Sequence, residues 1–334
     1  MFKGDLMATN IKFSTTIVPF GNQTDRYVGG GYKEESLTLE DMFLQASKIK
    51  DISGVEVVAT WNINEGNITQ IKELSTKYDL QISCVIVDTF SQAKWGKGGF
   101  SSRDTKIRKE AVDHVKKYMN ISKDVGCNLV DVWFGQDGYD YCFQTDYLEA
   151  WNYLEEGLRE CADYRKDVNL GIEYKHKEPR IHCFVSDIGK TINLIKKVNR
   201  KNLGIIMDVG HAQLADENPA ESIALCKYLD TNLLHLHLND NYKTWDDDIM
   251  FGSYHIQEEL ELLYWLKRIG YNGWYSFDIF PYRENGLAAV QTSLNWLKDL
   301  INAVDSMKDE KIAEVLRAQD ATKSLDLIRK MIFK

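Results

Sequence analysis

The run Ile205-Ile206-Met207-Asp208 is apolar until its last residue, which is a carboxylate. Short apolar runs bounded by turn residues are typical of strands buried on both faces, where a lone carboxylate is costly. In a parallel barrel the carboxyl ends of all strands meet at one face, so ligand-type residues at these ends are predicted to surround a divalent cation. Three more runs end on such a side chain: Gly171-Ile172-Glu173, Leu234-His235-Leu236-His237 and Tyr275-Ser276-Phe277-Asp278.

Strand-like segments alternate with helical periodicity along the chain, which predicts an α/β fold, a (β/α)8 TIM barrel. The barrel is expected to occupy residues 1–305. After it, the charged amphipathic segment 307–333 has no strand to follow, so residues 306–334 are predicted to form a C-terminal helical arm on the barrel or on another subunit. The predicted strands are 11–20, 55–61, 81–89, 129–135, 169–175, 202–210, 233–240 and 273–280.

Composition and charge argue against several classes of protein. The 41 basic and 50 acidic residues give a net charge of −9 without a dense basic stripe, which disfavours binding to nucleic acid. No apolar stretch approaches the roughly 20 residues that span a bilayer, and residues 1–7 do not read as a cleavable signal, so a cytoplasmic protein without a membrane partner is expected. The six cysteines are widely spaced, which is typical of reduced, mostly buried thiols.

A second set of ligand-type residues follows the sixth and seventh predicted strands. His211 lies three residues beyond Asp208, and Asp246 and Asp248 lie on one side of an acidic loop. We therefore predict two metal sites that Asp208 bridges. Mixed oxygen and imidazole donors favour Mn²⁺, with Mg²⁺, Co²⁺ and Zn²⁺ as alternatives. Glu173, His237 and Asp278 would complete one site, and His211, Asp246 and Asp248 the other.

Taken singly, each of these residues has an ordinary alternative role. A strand-end aspartate commonly caps the following helix, a lone histidine commonly satisfies a core hydrogen bond, and an acidic triplet is commonly a solvated turn. The prediction depends on four successive strand ends that share one pattern. His235 is a poorer ligand candidate, since it lies two positions deeper on the same strand face as His237.

Lys175 lies two residues beyond Glu173, so the two side chains are expected to share a strand face. Beside a metal cluster its ammonium group would polarise a substrate carbonyl oxygen. The alternative is a structural ion pair, although the adjacent sequence offers no evident partner. Aromatic side chains at the barrel rim are expected to shield a sugar from water. These are Trp61, Phe90, Trp95 and Trp133.

Several segments resemble the xylose isomerases, over most of the chain. Residues 173–180 (Glu-Tyr-Lys-His-Lys-Glu-Pro-Arg) resemble that family's fifth-strand signature, residues 210–215 its sixth-strand element, and residues 235–252 its seventh strand and metal loop. The resemblance implies an aldose–ketose isomerase that acts on a small unphosphorylated sugar by a metal-assisted hydride shift. We expect a homo-oligomer, either a dimer or a tetramer. The predicted catalytic residues are Lys175, Glu173 and Asp248, and the predicted substrate-binding residues are Trp133, Phe90, His211 and Lys175.

The same segments depart from the xylose isomerase pattern. Asp208 stands for the bridging glutamate and His237 for a metal-binding aspartate, a ligand set similar to that of L-rhamnose isomerases and ketose 3-epimerases. The second strand lacks the histidine that xylose isomerases link to ring opening, and Phe280 replaces a lysine. We therefore expect a substrate other than xylose.

Three alternative functions remain open. A one-metal epimerase or lyase would exchange a proton at carbon between carboxylates, but it needs neither Lys175 nor the Asp246 and Asp248 pair. A phosphodiesterase on the same barrel would need more histidines as metal ligands and a basic surface for DNA. The net charge of −9 disfavours such a surface. A non-catalytic subunit would not need the intact ligand set.

Overall fold

The computed structural model describes residues 11–25, 27–33 and 37–333, and at its centre eight parallel strands form a closed barrel. Each strand pairs with the next in the chain, and β8 closes on β1 with Lys12 opposite Trp274. The predicted (β/α)8 TIM barrel is confirmed. Residues 1–10, on which the expectation about a signal segment rests, lie outside the described ranges. The strands are β1 Lys12–Thr16, β2 Ile52–Val58, β3 Gln81–Val87, β4 Leu129–Trp133, β5 Asn169–Glu173, β6 Leu203–Asp208, β7 Leu233–Leu238 and β8 Trp274–Phe277.

Helices follow the strands and surround the barrel. Several begin at an aspartate whose carboxylate accepts backbone N–H groups of the first turn, as Asp104, Asp146 and Asp187 do, which stabilises the helix start. Their apolar faces pack on the outer surface of the strands. The helices are α1 Leu39–Ser47, α2 Ile68–Tyr78, α3 Thr105–Asp124, α4 Tyr147–Tyr164, α5 Ile188–Val198, α6 Val209–Leu214, α7 Pro219–Tyr228, α8 Ile256–Ile269, α9 Gly286–Asp305, α10 Asp309–Ala318 and α11 Ala321–Ile332.

The sixth strand is shorter than predicted. It ends at Asp208, and α6 begins at the next residue, so Val209 and Gly210, which were predicted to end the strand, lie on a short helix together with His211. The cause is local: Asp208 Oδ1 accepts the backbone N–H of His211 at 2.8 Å and caps the helix. The first strand likewise ends early, at Thr16, because a 3₁₀ turn with Pro19 follows it.

Two short antiparallel strands, Gly138–Tyr139 and His182–Cys183, join the loops that follow β4 and β5. Glycine is required at position 138, because a Cβ atom there would lie 2.3 Å from the carbonyl oxygen of His182. The pairing of the two strands connects the loops to each other at the carboxyl end of the barrel.

The C-terminal segment forms two helices where one amphipathic segment was predicted. They are separated at Gln319, whose φ of 51° is left-handed, and Asp320 then caps α11. Ile312, Val315 and Met331 are buried within the chain, whereas Leu316 and Leu325 are exposed.

The thiols and the helix lengths bear on two further expectations. All six cysteines are free, five of them are buried, and Cys142 is exposed. Within the described ranges, no helix is long and apolar enough to cross a membrane.

Candidate metal centre

The four predicted strand-end ligands converge at the carboxyl end of the barrel. Each offers one ligand atom to a group in which all the atoms lie within 4.8 Å of one another. Three of the side chains are buried, and that of Asp278 retains 19% exposure toward the mouth of the barrel. The strands fold this way because neighbouring parallel strands hold the ligands in register, with Asp208 of β6 opposite His237 of β7. The four residues are Glu173, Asp208, His237 and Asp278.

The ring of His237 presents one nitrogen to this group. Its Nδ1 lies 3.5 Å from Glu173 Oε2 and 3.9 Å from Asp278 Oδ2, and makes no hydrogen bond in the described part of the chain. One buried imidazole nitrogen and several carboxylate oxygens together form a set of donor atoms that suits a divalent cation. The residues present therefore fit a bound metal.

Hydrogen bonds orient two of the carboxylates. Asn239 Nδ2 donates to Asp208 Oδ2 at 2.8 Å, and Thr16 Oγ1 donates to Asp278 Oδ1 at 3.1 Å. Such contacts reduce the freedom of carboxylates that must point at a common centre.

The electrostatics of the group also favour a cation. Burial raises the pKa of Asp278 to about 7 and that of Asp208 to about 6, although neighbouring histidines oppose the shift. Burial would lower the pKa of His237, but the carboxylates of Glu56 and Glu173 raise it well above its usual value. Without a cation these carboxylates compete for protons, and a divalent ion would neutralise them.

The second predicted ligand set lies directly beside the first. His211 Nδ1 is 3.2 Å from Glu173 Oε1, and its Nε2 is 3.3 Å from Asp246 Oδ2. Asp248 Oδ1 is 3.4 Å from Asn239 Nδ2, the same amide that holds Asp208. All seven predicted ligands therefore occupy one continuous region, and a second bound metal stays a prediction.

Lys175 has partners that the sequence did not reveal. Its ammonium group forms ion pairs with Glu178, three residues along the chain, and with Asp246, at 2.5 Å from Oδ2. The interpretation that Lys175 lacks a structural partner nearby was wrong. It is nevertheless buried at the mouth of the barrel, with Nζ 4.9 Å from the ring centre of Trp133. Burial would lower the pKa of Lys175, but the two carboxylates raise it, so the ammonium form persists.

Three of the four predicted rim aromatics form one wall. Phe90 lies between Trp133 and Trp61, with ring centres 4.4 Å and 6.0 Å away. Trp95 does not belong to this wall. It is fully buried and packs against His114 of α3, so its predicted role at the rim was wrong.

Two buried carboxylates near the ligands are not among the predicted site residues. Glu56 of β2 is fully buried and contacts both His235 and His237. Asp131 of β4 is also fully buried, and burial together with the adjacent Glu173 raises its pKa well above the usual range. The signal was present in the sequence, because Val55-Glu56-Val57 and Val130-Asp131-Val132 each place a lone acid inside an apolar run.

Comparison with known proteins agrees with the fold. Residues 44–300 match the family described as xylose isomerase-like TIM barrel. The xylose isomerase of Thermus caldophilus is 27% identical over 223 residues, which are 65% of this chain and 57% of that enzyme. The chain thus spans little more than half the length of this relative.

Solved structures with the same fold include one described as a sugar epimerase and one described as an epimerase-like protein. A D-tagatose 3-epimerase-like protein superposes with a TM-score of 0.67 at 21% identity, covering 89% of this chain and 99% of that one. An L-ribulose 3-epimerase superposes with a TM-score of 0.70 at 12% identity, covering 92% and 99%. At these identities the likeness concerns the fold alone. From the match over residues 44–300, the chain belongs to the xylose isomerase-like TIM barrel family.

Proposed function

We propose that this protein is a metal-dependent sugar isomerase that interconverts an aldose and a ketose of a small unphosphorylated sugar. The observation that carries the proposal is the group of Glu173, Asp208, His237 and Asp278, whose ligand atoms lie within 4.8 Å of one another beside a buried lysine. The relationship to the xylose isomerase of Thermus caldophilus supports the same reaction class.

We assign the first cation to these four residues and a second to His211, Asp246 and Asp248, with Asp208 shared. The imidazole nitrogens favour Mn²⁺, and Mg²⁺, Co²⁺ and Zn²⁺ remain alternatives. A bound divalent cation would supply Lewis acidity toward the oxygens of an open-chain sugar.

The protein's own groups would orient and polarise the sugar. Lys175 would donate a hydrogen bond to the carbonyl oxygen as negative charge develops on it, and its pairs with Asp246 and Glu178 hold the ammonium group in place. The wall of Trp133, Phe90 and Trp61 would exclude water and pack on the C–H face of the sugar. Hydride would pass between adjacent carbons while one hydroxyl loses a proton and the former carbonyl oxygen gains one.

A screen of unphosphorylated aldoses tests the proposal directly. The purified protein would be incubated with each aldose and Mn²⁺, and ketose formation would be followed by chromatography. Chelated protein serves as the control. Metal-dependent ketose formation from at least one aldose is expected, and turnover that is unaffected by chelation would contradict the proposal.

A one-metal ketose epimerase is the second candidate. It is favoured by the engagement of Asp246 with Lys175, which leaves Glu173, Asp208, His237 and Asp278 as a self-sufficient group for one ion. In that case Glu173 and a second carboxylate would exchange a proton at carbon.

Isotope and metal measurements separate the two candidates. The substrate would carry deuterium at the carbon from which the hydrogen migrates. A hydride shift keeps this deuterium in the product, whereas proton exchange loses it to water. The Asp246→Asn, Asp248→Asn double variant should keep one metal and lose isomerisation. Loss of label from the wild type, or unchanged turnover in the double variant, would favour the epimerase.

A further inference from the structure

We propose that Glu56 is a positioning residue that fixes the tautomer and ring orientation of His237. The proposal rests on the proposed metal site, to which His237 contributes a ligand nitrogen. Glu56 lies on β2 near Nε2 of His237, whereas Glu173 and Asp278 lie near Nδ1, and its side chain is fully buried, so it would act through the histidine and would not touch the sugar.

The contacts assign one role to each ring nitrogen of His237. Nε2 lies 3.1 Å from Glu56 Oε2, which is hydrogen-bond distance. Nδ1 lies 3.5 Å or more from the nearest carboxylate oxygens of the ligand group and has no hydrogen-bond partner among the described residues. Because an ionised carboxylate only accepts hydrogen bonds, Nε2 must carry the proton. When His237 binds a cation its ring is neutral, and the lone pair is then on Nδ1, the nitrogen that faces the ligand group.

His235 also donates a hydrogen bond to the Glu56 carboxylate. Its Nε2 lies 2.8 Å from Glu56 Oε1, so each carboxylate oxygen accepts one imidazole N–H. All three side chains are fully buried. The two N–H donors stabilise a charge that would otherwise be costly inside the barrel, and they prevent the carboxylate from turning away from His237.

Only a carboxylate satisfies both histidines in this arrangement. A glutamine at position 56 would offer one oxygen acceptor and one N–H₂ donor. If its amide nitrogen faced His237, the ring would have to accept at Nε2 and carry its proton on Nδ1, where it would block the ligand position. If its oxygen faced His237, His235 would have to accept at Nε2 and carry its proton on Nδ1, which is buried without a hydrogen-bond partner among the described residues.

Metal affinity measured by titration with Mn²⁺ tests this role. Glu56→Gln keeps the side-chain volume and should weaken Mn²⁺ binding by about 10- to 100-fold, the range typical of partners that orient a metal-binding histidine. Glu56→Asp retains two acceptor oxygens and should fall between the wild type and Glu56→Gln. The matched control is Asp137→Asn, which also neutralises a fully buried carboxylate but one that accepts the backbone N–H groups of Gly99 and Ser101. Its Mn²⁺ affinity should be unchanged.

The tautomer can be read in the wild type, so the test does not depend on a variant that folds. In ¹⁵N-histidine NMR spectra of the protein loaded with diamagnetic Zn²⁺, His237 should keep a proton on Nε2 and none on Nδ1. A proton on Nδ1 would overturn the proposal. Unchanged Mn²⁺ affinity in a folded Glu56→Gln variant would overturn it as well.

Three outcomes of the metal titration have different meanings. Loss of one whole metal equivalent in Glu56→Gln, with the remaining affinity unaltered, would make Glu56 a ligand and so overturn the positioning role. A wild type that binds none of Mn²⁺, Mg²⁺, Co²⁺ and Zn²⁺ would reject the proposed function together with this inference. Binding by the wild type with no response to Glu56→Gln rejects the inference alone.

Discussion

The Lys175 ammonium group lies 2.5 Å from Asp246 Oδ2; the lysine side chain is buried, and that of Asp246 retains 13% exposure. His211 Nε2 lies 3.3 Å from the same oxygen. Asp246 therefore connects the lysine proposed to polarise the substrate with the histidine proposed to bind the second metal. A change at Asp246 or His211 should alter both functions, so metal content and turnover must be measured together.

Lys175→Met should lower isomerase turnover by roughly 10²-fold or more, in line with the loss of one group that stabilises a developing oxyanion. Metal content should stay intact, because the substitution removes no ligand. Lys243→Met is the control, since Lys243 pairs with Glu258 on the following helix at 2.8 Å and is not a predicted site residue. Steady-state kinetics and elemental analysis would be compared in all three proteins. Equal turnover of wild type and Lys175→Met would contradict the catalytic role.

Asp208→Asn should lose metal and activity while the protein remains folded. Asparagine caps helices as well as aspartate does, so the start of α6 is preserved and only the anionic ligand is removed. His237→Ala should have the same effect on metal content. Asp146→Asn, a substitution at the cap of α4, provides the control. Full metal retention in both site variants, measured by elemental analysis, would exclude the proposed centre.

The free energy of unfolding of Glu259→Gln, compared with that of the wild type, should increase as the pH rises. Burial, with the neighbouring Asp240 carboxylate, raises the pKa of Glu259 to about 8 from 4.5. The folded state therefore holds this proton more tightly than the unfolded chain, and the stability it contributes is complete below pH 4.5 and lost as the pH rises toward 8. Each unit of pKa difference is worth about 1.4 kcal/mol, so the total is of the order of a few kcal/mol.

Urea unfolding of wild type and Glu259→Gln at pH 5, 6.5 and 8 would show this effect. The difference in free energy of unfolding, variant minus wild type, should increase across the series. Parallel curves for the two proteins would show that Glu259 does not keep its proton in the folded state.

The C-terminal helices are expected to contribute to a homo-oligomer. Ile312, Val315 and Met331 pack within the chain, but Leu316 and Leu325 are 41% and 57% exposed. Truncation after Val304 should lower the oligomeric state, and the Leu316→Glu, Leu325→Glu double variant should do so without uncovering the barrel. Tyr228→Glu on α7 is the control for an exposed apolar residue elsewhere. An unchanged particle mass by light scattering in both arm variants would assign the arm to intrachain packing.

The sequence by itself determined the barrel and the place of the main candidate ligands in it. Strand period, strand number and the alternation with helices are local properties of the chain, and they suffice because parallel strands joined by helices close in few ways. The position of Glu173, Asp208, His237 and Asp278 at strand ends follows from the same local pattern, since the fold brings all carboxyl ends to one face.

Only the tertiary structure decided which side chains hold those ligands. Glu56 and His237 are 181 residues apart in the chain, and Lys175 and Asp246 are brought together from different loops. The register of the barrel strands decides which inward side chains share a layer, and therefore which buried charges become partners. Local sequence patterns do not contain this register. The same reason explains Trp95, whose sequence suits a rim position but whose surroundings place it in the core.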